Sequence, residues 1–152
     1  MAQTFDLVLK GGVLVNHDGA GRRDVGVANG RIAAIGDLSA ASAGQTIDCA
    51  GLHVLPGVID SQVHFREPGL THKEDLETGS RAAVLGGVTA VFEMPNTNPL
   101  TTDAATLADK VKRGLHRMHC DFAFWVGGTH ENANDVPELE RLPGSAGIKV
   151  FM

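Results

Sequence analysis

The chain contains no tyrosine, one tryptophan and two cysteines among its 152 residues. Cys49 and Cys120 are far apart and fit neither a disulfide framework nor a paired-cysteine metal motif. They read as reduced thiols, which agrees with a cytoplasmic protein. No stretch approaches the roughly 18 apolar residues of a membrane span. The first residues, Met1 to Asp6, lack a basic leader followed by an apolar run, so they do not read as a signal peptide. There is no Lys/Arg-rich run, and the formal net charge is −5. That balance argues against a nucleic-acid partner and points to a small-molecule substrate. Hydrophobic residues are 43% and charged residues 20% of the chain, within the range of a globular protein with a real core.

Glycine is plentiful and falls between apolar runs, as turn punctuation. Residues 1–55 read as short strands of a small β unit. Phe5 to Lys10 and Val13 to Val15 flank Gly11-Gly12, which suggests a tight turn between paired strands. Asp24 to Val27 and Arg31 to Ile35 flank Asn29-Gly30, the strongest short hairpin signal in the chain. Thr46 to Asp48 and His53 to Leu55 add two more strands.

From Pro56-Gly57 onward the pattern changes to strands alternating with helices. Val58 to Asp60, Thr89 to Met94, Asp121 to Val126 and Gly147 to Phe151 read as strands. Lys73 to Gly86 has helical spacing and stops at Gly86-Gly87. Thr102 or Asp103 can cap a helix reaching about His119. A short helix is expected from Val136 to Arg141. Repeated strand–helix–strand units imply an α/β fold with a parallel sheet. A doubly wound sheet and a (β/α)₈ barrel fit equally well. A barrel takes about 250 residues, and four strands leave an unpaired edge, so the sequence reads as truncated.

Polar residues gather after each of these strands, where parallel sheets and barrels build active sites. The first strand is followed by Gln62, His64, Arg66 and Glu67, the second by Asn96 and Asn98, the third by Thr129, His130 and Asn132. Lys149 lies in the fourth. Neutral imidazole is the commonest protein ligand for zinc-like metals, which makes His64 a candidate ligand. Arg66 can grip a carboxylate with two bonds, or simply pair with Glu67 or Glu74. Asn96 can serve a site or only a turn. Lys149, among Ile148, Val150 and Phe151, reads as a lysine in a buried strand. Burial lowers its pKa and makes the amine able to add carbon dioxide. A lysine reaching solvent at a strand end is the simpler reading from sequence alone.

Taken together, these segments resemble the amidohydrolase superfamily and, within it, the dihydroorotases. Pro56 to Asp60 resembles the start of that superfamily's barrel. His64-Phe65-Arg66-Glu67-Pro68-Gly69, the helix after Lys73-Glu74-Asp75, and Met94-Pro95-Asn96-Thr97-Asn98-Pro99 are similar to dihydroorotases. Gly147 to Met152 resembles the strand of the carboxylated lysine. The resemblance implies part of a (β/α)₈ barrel over residues 56–152, preceded by part of a small β-sandwich over residues 1–55. It implies one or two Zn²⁺ ions held by His64 and a carboxylated Lys149, and a substrate carboxylate held by Arg66 and Asn96. Gln62 stands where the family has its first histidine, and an amide oxygen is a poorer zinc ligand. The remaining ligands and the general base are expected beyond Met152, so the 152-residue piece alone is expected to be inactive.

The implied activity is that of a dihydroorotase: reversible opening of the dihydroorotate ring to N-carbamoyl-L-aspartate in pyrimidine biosynthesis. Another cyclic amidohydrolase, such as an allantoinase or hydantoinase, is the alternative. A non-catalytic partner of aspartate transcarbamoylase is a third reading. A homo-oligomer is expected.

Overall fold

The structure is a computed structural model and describes residues 4–152. The chain forms two compact units, divided between Pro56 and Gly57.

Among the described residues, the first unit holds seven strands in two sheets. One sheet has the order β5-β4-β1-β6, from β1 (Thr4–Lys10), β4 (Asp24–Ala28), β5 (Arg31–Gly36) and β6 (Ser42–Asp48). The other has the order β3-β2-β7, from β2 (Val13–Asn16), β3 (Gly19–Arg22) and β7 (His53–Val54). The β4–β5 hairpin forms where Asn29-Gly30 predicts it, with φ of 52° and 70° at the two turn residues. Both values lie in the left-handed region that such a turn demands.

Gly11-Gly12 does not join a hairpin. It passes the chain from one sheet to the other, since β1 pairs with β4 and β6 whereas β2 pairs with β3 and β7. A Cβ on Gly12 would sit 2.9 Å from both Cys49 and Val54, so this crossing needs a residue without a side chain.

The second unit is a parallel sheet of order β11-β10-β9-β8 with three helices. Its strands are β8 (Val58–Val63), β9 (Val88–Glu93), β10 (Asp121–Gly127) and β11 (Ser145–Lys149), and its helices α1 (Leu76–Leu85), α2 (Ala104–Gly114) and α3 (Val136–Leu139). Asp75 caps α1, accepting the Thr78 amide at 2.8 Å. Asp103 caps α2 in a capping box with Thr106. α2 ends at Gly114 rather than near His119. The Gly114 carbonyl accepts the amides of Arg117 and Met118, and His116 takes a φ of 61°, which ends the helical path.

The helices pack on one face of the sheet. Phe65, Leu76, Val91, Leu107, Phe124, Val126 and Leu139 form the buried cluster there. Each large apolar side chain taken out of water contributes roughly 1.5–3 kcal/mol. On α2, Leu107, Lys110 and Gly114 are buried, a one-face stripe at helical spacing. Strand alternation turns Phe92 and Trp125 away from that cluster. Their rings meet edge to face with centroids 6.4 Å apart. Trp125 Nε1 donates to the Ser61 carbonyl at 2.9 Å, where the β8–β9 register shifts between Asp60 and Val63.

This α/β arrangement is that of a partial barrel with sandwich strands before it. Among the described residues, no helix is long and apolar enough to cross a membrane.

Candidate functional site

The carboxyl ends of β8 and β9 lie side by side, because the two strands are parallel neighbours. The Met94 amide donates to the Val63 carbonyl at 3.0 Å, extending the pairing past the last strand residues. This brings His64 and Asn96 together. His64 Nδ1 lies 3.0 Å from Asn96 Oδ1, and both residues are half-buried. An amide oxygen can only accept, so Nδ1 is the donor in this arrangement, and a neutral ring then has its lone pair on Nε2. That is the tautomer a metal-ligating imidazole needs.

Arg66 follows in the left-handed region, with φ of 66°. The turn it makes is closed by the Leu70 amide, which donates to the Arg66 carbonyl at 3.0 Å. Among the described residues, the alternative pairing of Arg66 with Glu67 or Glu74 does not form. Glu67 is instead held by Arg117, through Oε1 to Nη1 at 2.8 Å and Oε2 to Nη2 at 3.1 Å. Its Oε2 also accepts the Leu76 amide at 3.1 Å, at the start of α1. Burial acts to raise the Glu67 pKa. The Arg117 guanidinium, the Leu76 amide and Arg113 together outweigh it and hold the carboxyl below its usual range.

Gln62 is exposed, and its backbone amide donates to Asp60 Oδ1 at 3.0 Å. Lys149 ends β11 half-buried rather than enclosed. Its Nζ stands 5.6 Å from the centroid of the Phe151 ring, which is 61% exposed. Among the described residues, no hydrogen bond or ion pair joins Lys149 to His64, and no three His, Cys, Asp or Glu side chains converge as a metal-binding group. His64 fits a metal by its tautomer, but these residues do not assemble a complete donor set.

The loop after β10 is fixed by Asn132. Its Nδ2 donates to the carbonyls of Thr102 and Gly127 at 2.6 and 2.8 Å, and its Oδ1 accepts the Thr129 amide at 2.7 Å. Beside this knot, Pro95, Asn96, Leu100, Thr102, Thr129 and Phe151 line a cavity of about 330 Å³. A larger groove of about 470 Å³ lies along α2 and Leu142-Pro143 and contains none of the site residues.

Two buried charged residues beneath the site lie outside the sequence-based set. Glu93 and Lys110 have side chains 2% and 1% exposed, with Lys110 Nζ 3.1 Å from Glu93 Oε2. Lys110 was legible in principle, three residues from Leu107 on the core face of α2. Nothing local marked Glu93 as its partner.

Residues 51–117 match the Dihydro-orotase-like family. The chain is 41% identical over 150 residues to an allantoinase from Deinococcus radiodurans, covering 98% of this chain and 33% of that one. It is 43% identical over 149 residues to an allantoinase from Rubrobacter xylanophilus, covering 97% of this chain and 32% of that one. An L-hydantoinase from Arthrobacter aurescens superposes with a TM-score of 0.84 at 36% identity, covering 90% of this chain and 31% of that one. The chain therefore spans about one third of the length of the curated relatives it matches. Those relatives favour the allantoinase and hydantoinase alternative over the dihydroorotase reading. In sequence and in fold, this chain is similar to the cyclic amidohydrolases of the amidohydrolase superfamily.

Proposed function

We propose that this chain forms part of an enzyme that hydrolyses a cyclic amide, with an uncharged ureide ring of the allantoin or hydantoin kind as substrate. The observation that carries the reading is the likeness to allantoinases, which runs over 97–98% of the chain at 38–43% identity. Dihydroorotate is the second substrate, favoured by the family matched over residues 51–117 and by Arg66 as a carboxylate grip.

His64 is the proposed imidazole donor to a metal, with zinc the proposed ion. Its Nδ1 proton is committed to Asn96, which orients the ring and leaves Nε2 to coordinate. Lys149 is proposed as the second donor, in its carbamate form, and Gln62 as a weak third. A bound divalent ion would supply activated water at neutral pH. Asn96 keeps its Nδ2 protons after accepting from His64, and is proposed to donate them to a ring carbonyl. Donation from a fixed amide orients the ring before attack.

The test is metal analysis of the full-length protein, with turnover of allantoin, hydantoin and dihydroorotate measured side by side. Ring opening of an uncharged ureide, little changed in Arg66→Ala, is expected. Preference for dihydroorotate, with its loss in Arg66→Ala, would move the assignment to the second substrate. Absence of both metal and turnover would refute the enzyme.

A further inference from the structure

Glu93 closes β9 and Lys110 lies on the core face of α2. Their charges are held in an apolar setting. Lys110 Nζ stands 5.4 Å from the Phe124 ring centroid and donates to the Met94 carbonyl at 3.1 Å. The Glu93 carboxylate has the Lys110 ammonium as its partner, and among the described residues neither of its oxygens accepts a hydrogen bond from a backbone amide. Burial pushes the Glu93 pKa up and the Lys110 pKa down, and their mutual attraction opposes both shifts. An apolar pair of similar size would be the cheaper way to fill this space, since desolvating two charges is costly. The groups they reach suggest another use. Met94 is two residues before Asn96 and is bonded to Val63, which precedes His64.

We propose that the Glu93–Lys110 pair is a positioning device. Through Lys110 it clamps the Met94 carbonyl, and so sets the register in which His64 meets Asn96. The inference builds on the site assigned above, although its main readouts do not need turnover. Neither residue touches substrate in this scheme.

The experiment compares the full-length wild-type protein with Lys110→Met, Glu93→Gln and the double variant. The double variant avoids leaving one charge buried alone, so it is the one expected to fold. The ¹⁵N shifts of the His64 ring report its tautomer, and hydrogen exchange reports the Met94 amide bonded to Val63. The double variant is expected to show a mixed His64 tautomer and Met94 amide exchange at least about 10-fold faster, because local opening governs exchange. Turnover is expected to fall about 10- to 100-fold with KM changed less than about 3-fold, as for a misplaced catalytic group. A folded double variant with wild-type ring shifts and exchange would overturn the proposal and leave the pair as core filling. Should no variant fold, the wild type still decides. A Lys110 ammonium whose protons exchange as fast as those of a surface lysine would overturn the clamp, and a protected one upholds it. Wild-type protein without turnover would sink the ureide reading alone.

Discussion

Glu67 and Arg117 stand fifty positions apart and meet in a two-pronged pair of 2.8 and 3.1 Å, which ties the loop after β8 to the segment following α2. Glu67 is buried, whereas the Arg117 side chain is 41% exposed. The carboxylate also holds the first amide of α1, so one side chain braces three pieces of backbone. Replacing it with Gln keeps the shape and removes the charge. Glu67→Gln is expected to lower stability by about 1–3 kcal/mol, read from urea denaturation midpoints at neutral pH.

The same residue makes the fold sensitive to acid. Its folded-state pKa is lowered below the ordinary 4.5. Its contribution is therefore complete above the unfolded value and is lost as pH falls through the lowered folded one. Wild-type stability is expected to drop on acidification across that window. Glu67→Gln is expected to show a shallower drop in the same titration. Equal slopes for the two proteins would count against this assignment.

Gly69 adopts φ of 87°, and a Cβ there would run into the Asn98 carbonyl. Backbone crowding of this kind cannot be relieved by turning a side chain. Gly69→Ala is expected to cost about 1–3 kcal/mol and to disturb the loop containing Asn96. Thermal denaturation gives the first effect, and the His64 ring shifts give the second.

Asp103 holds the Thr106 amide at 2.7 Å at the start of α2, the helix that carries Lys110. Asp103→Ala is expected to cost about 1 kcal/mol, and Asp103→Asn much less, because asparagine caps nearly as well. Chemical denaturation of the two variants separates the cap from general surface effects.

Gln62 occupies a position where imidazole would bind a metal more strongly. If His64 is a ligand, Gln62→His is expected to raise the bound-metal stoichiometry of the full-length protein, measured by elemental analysis after dialysis. An unchanged ratio would place Gln62 outside the donor set.

The sequence determined those features whose cause is local. Asn29-Gly30 makes its hairpin because two adjacent residues must take positive φ. Asp103 starts α2 because its carboxylate reaches an amide three residues on. The alternation of strands and helices after Gly57 was legible from spacing, and it placed His64 and Asn96 at neighbouring strand ends. Only the tertiary structure decided which groups met there. Gly11-Gly12 looked like a hairpin turn because glycine pairs serve both turns and sheet crossings, and the choice depended on distant strands β4 and β6. Arg66 has Glu67 beside it in sequence, yet Arg117 takes that carboxylate because the segment after α2 returns alongside it. Periodicity shows which face of one element is buried. It does not show which charge on another element will share that burial, and this is why Glu93 and Lys110 became partners only when β9 and α2 packed together.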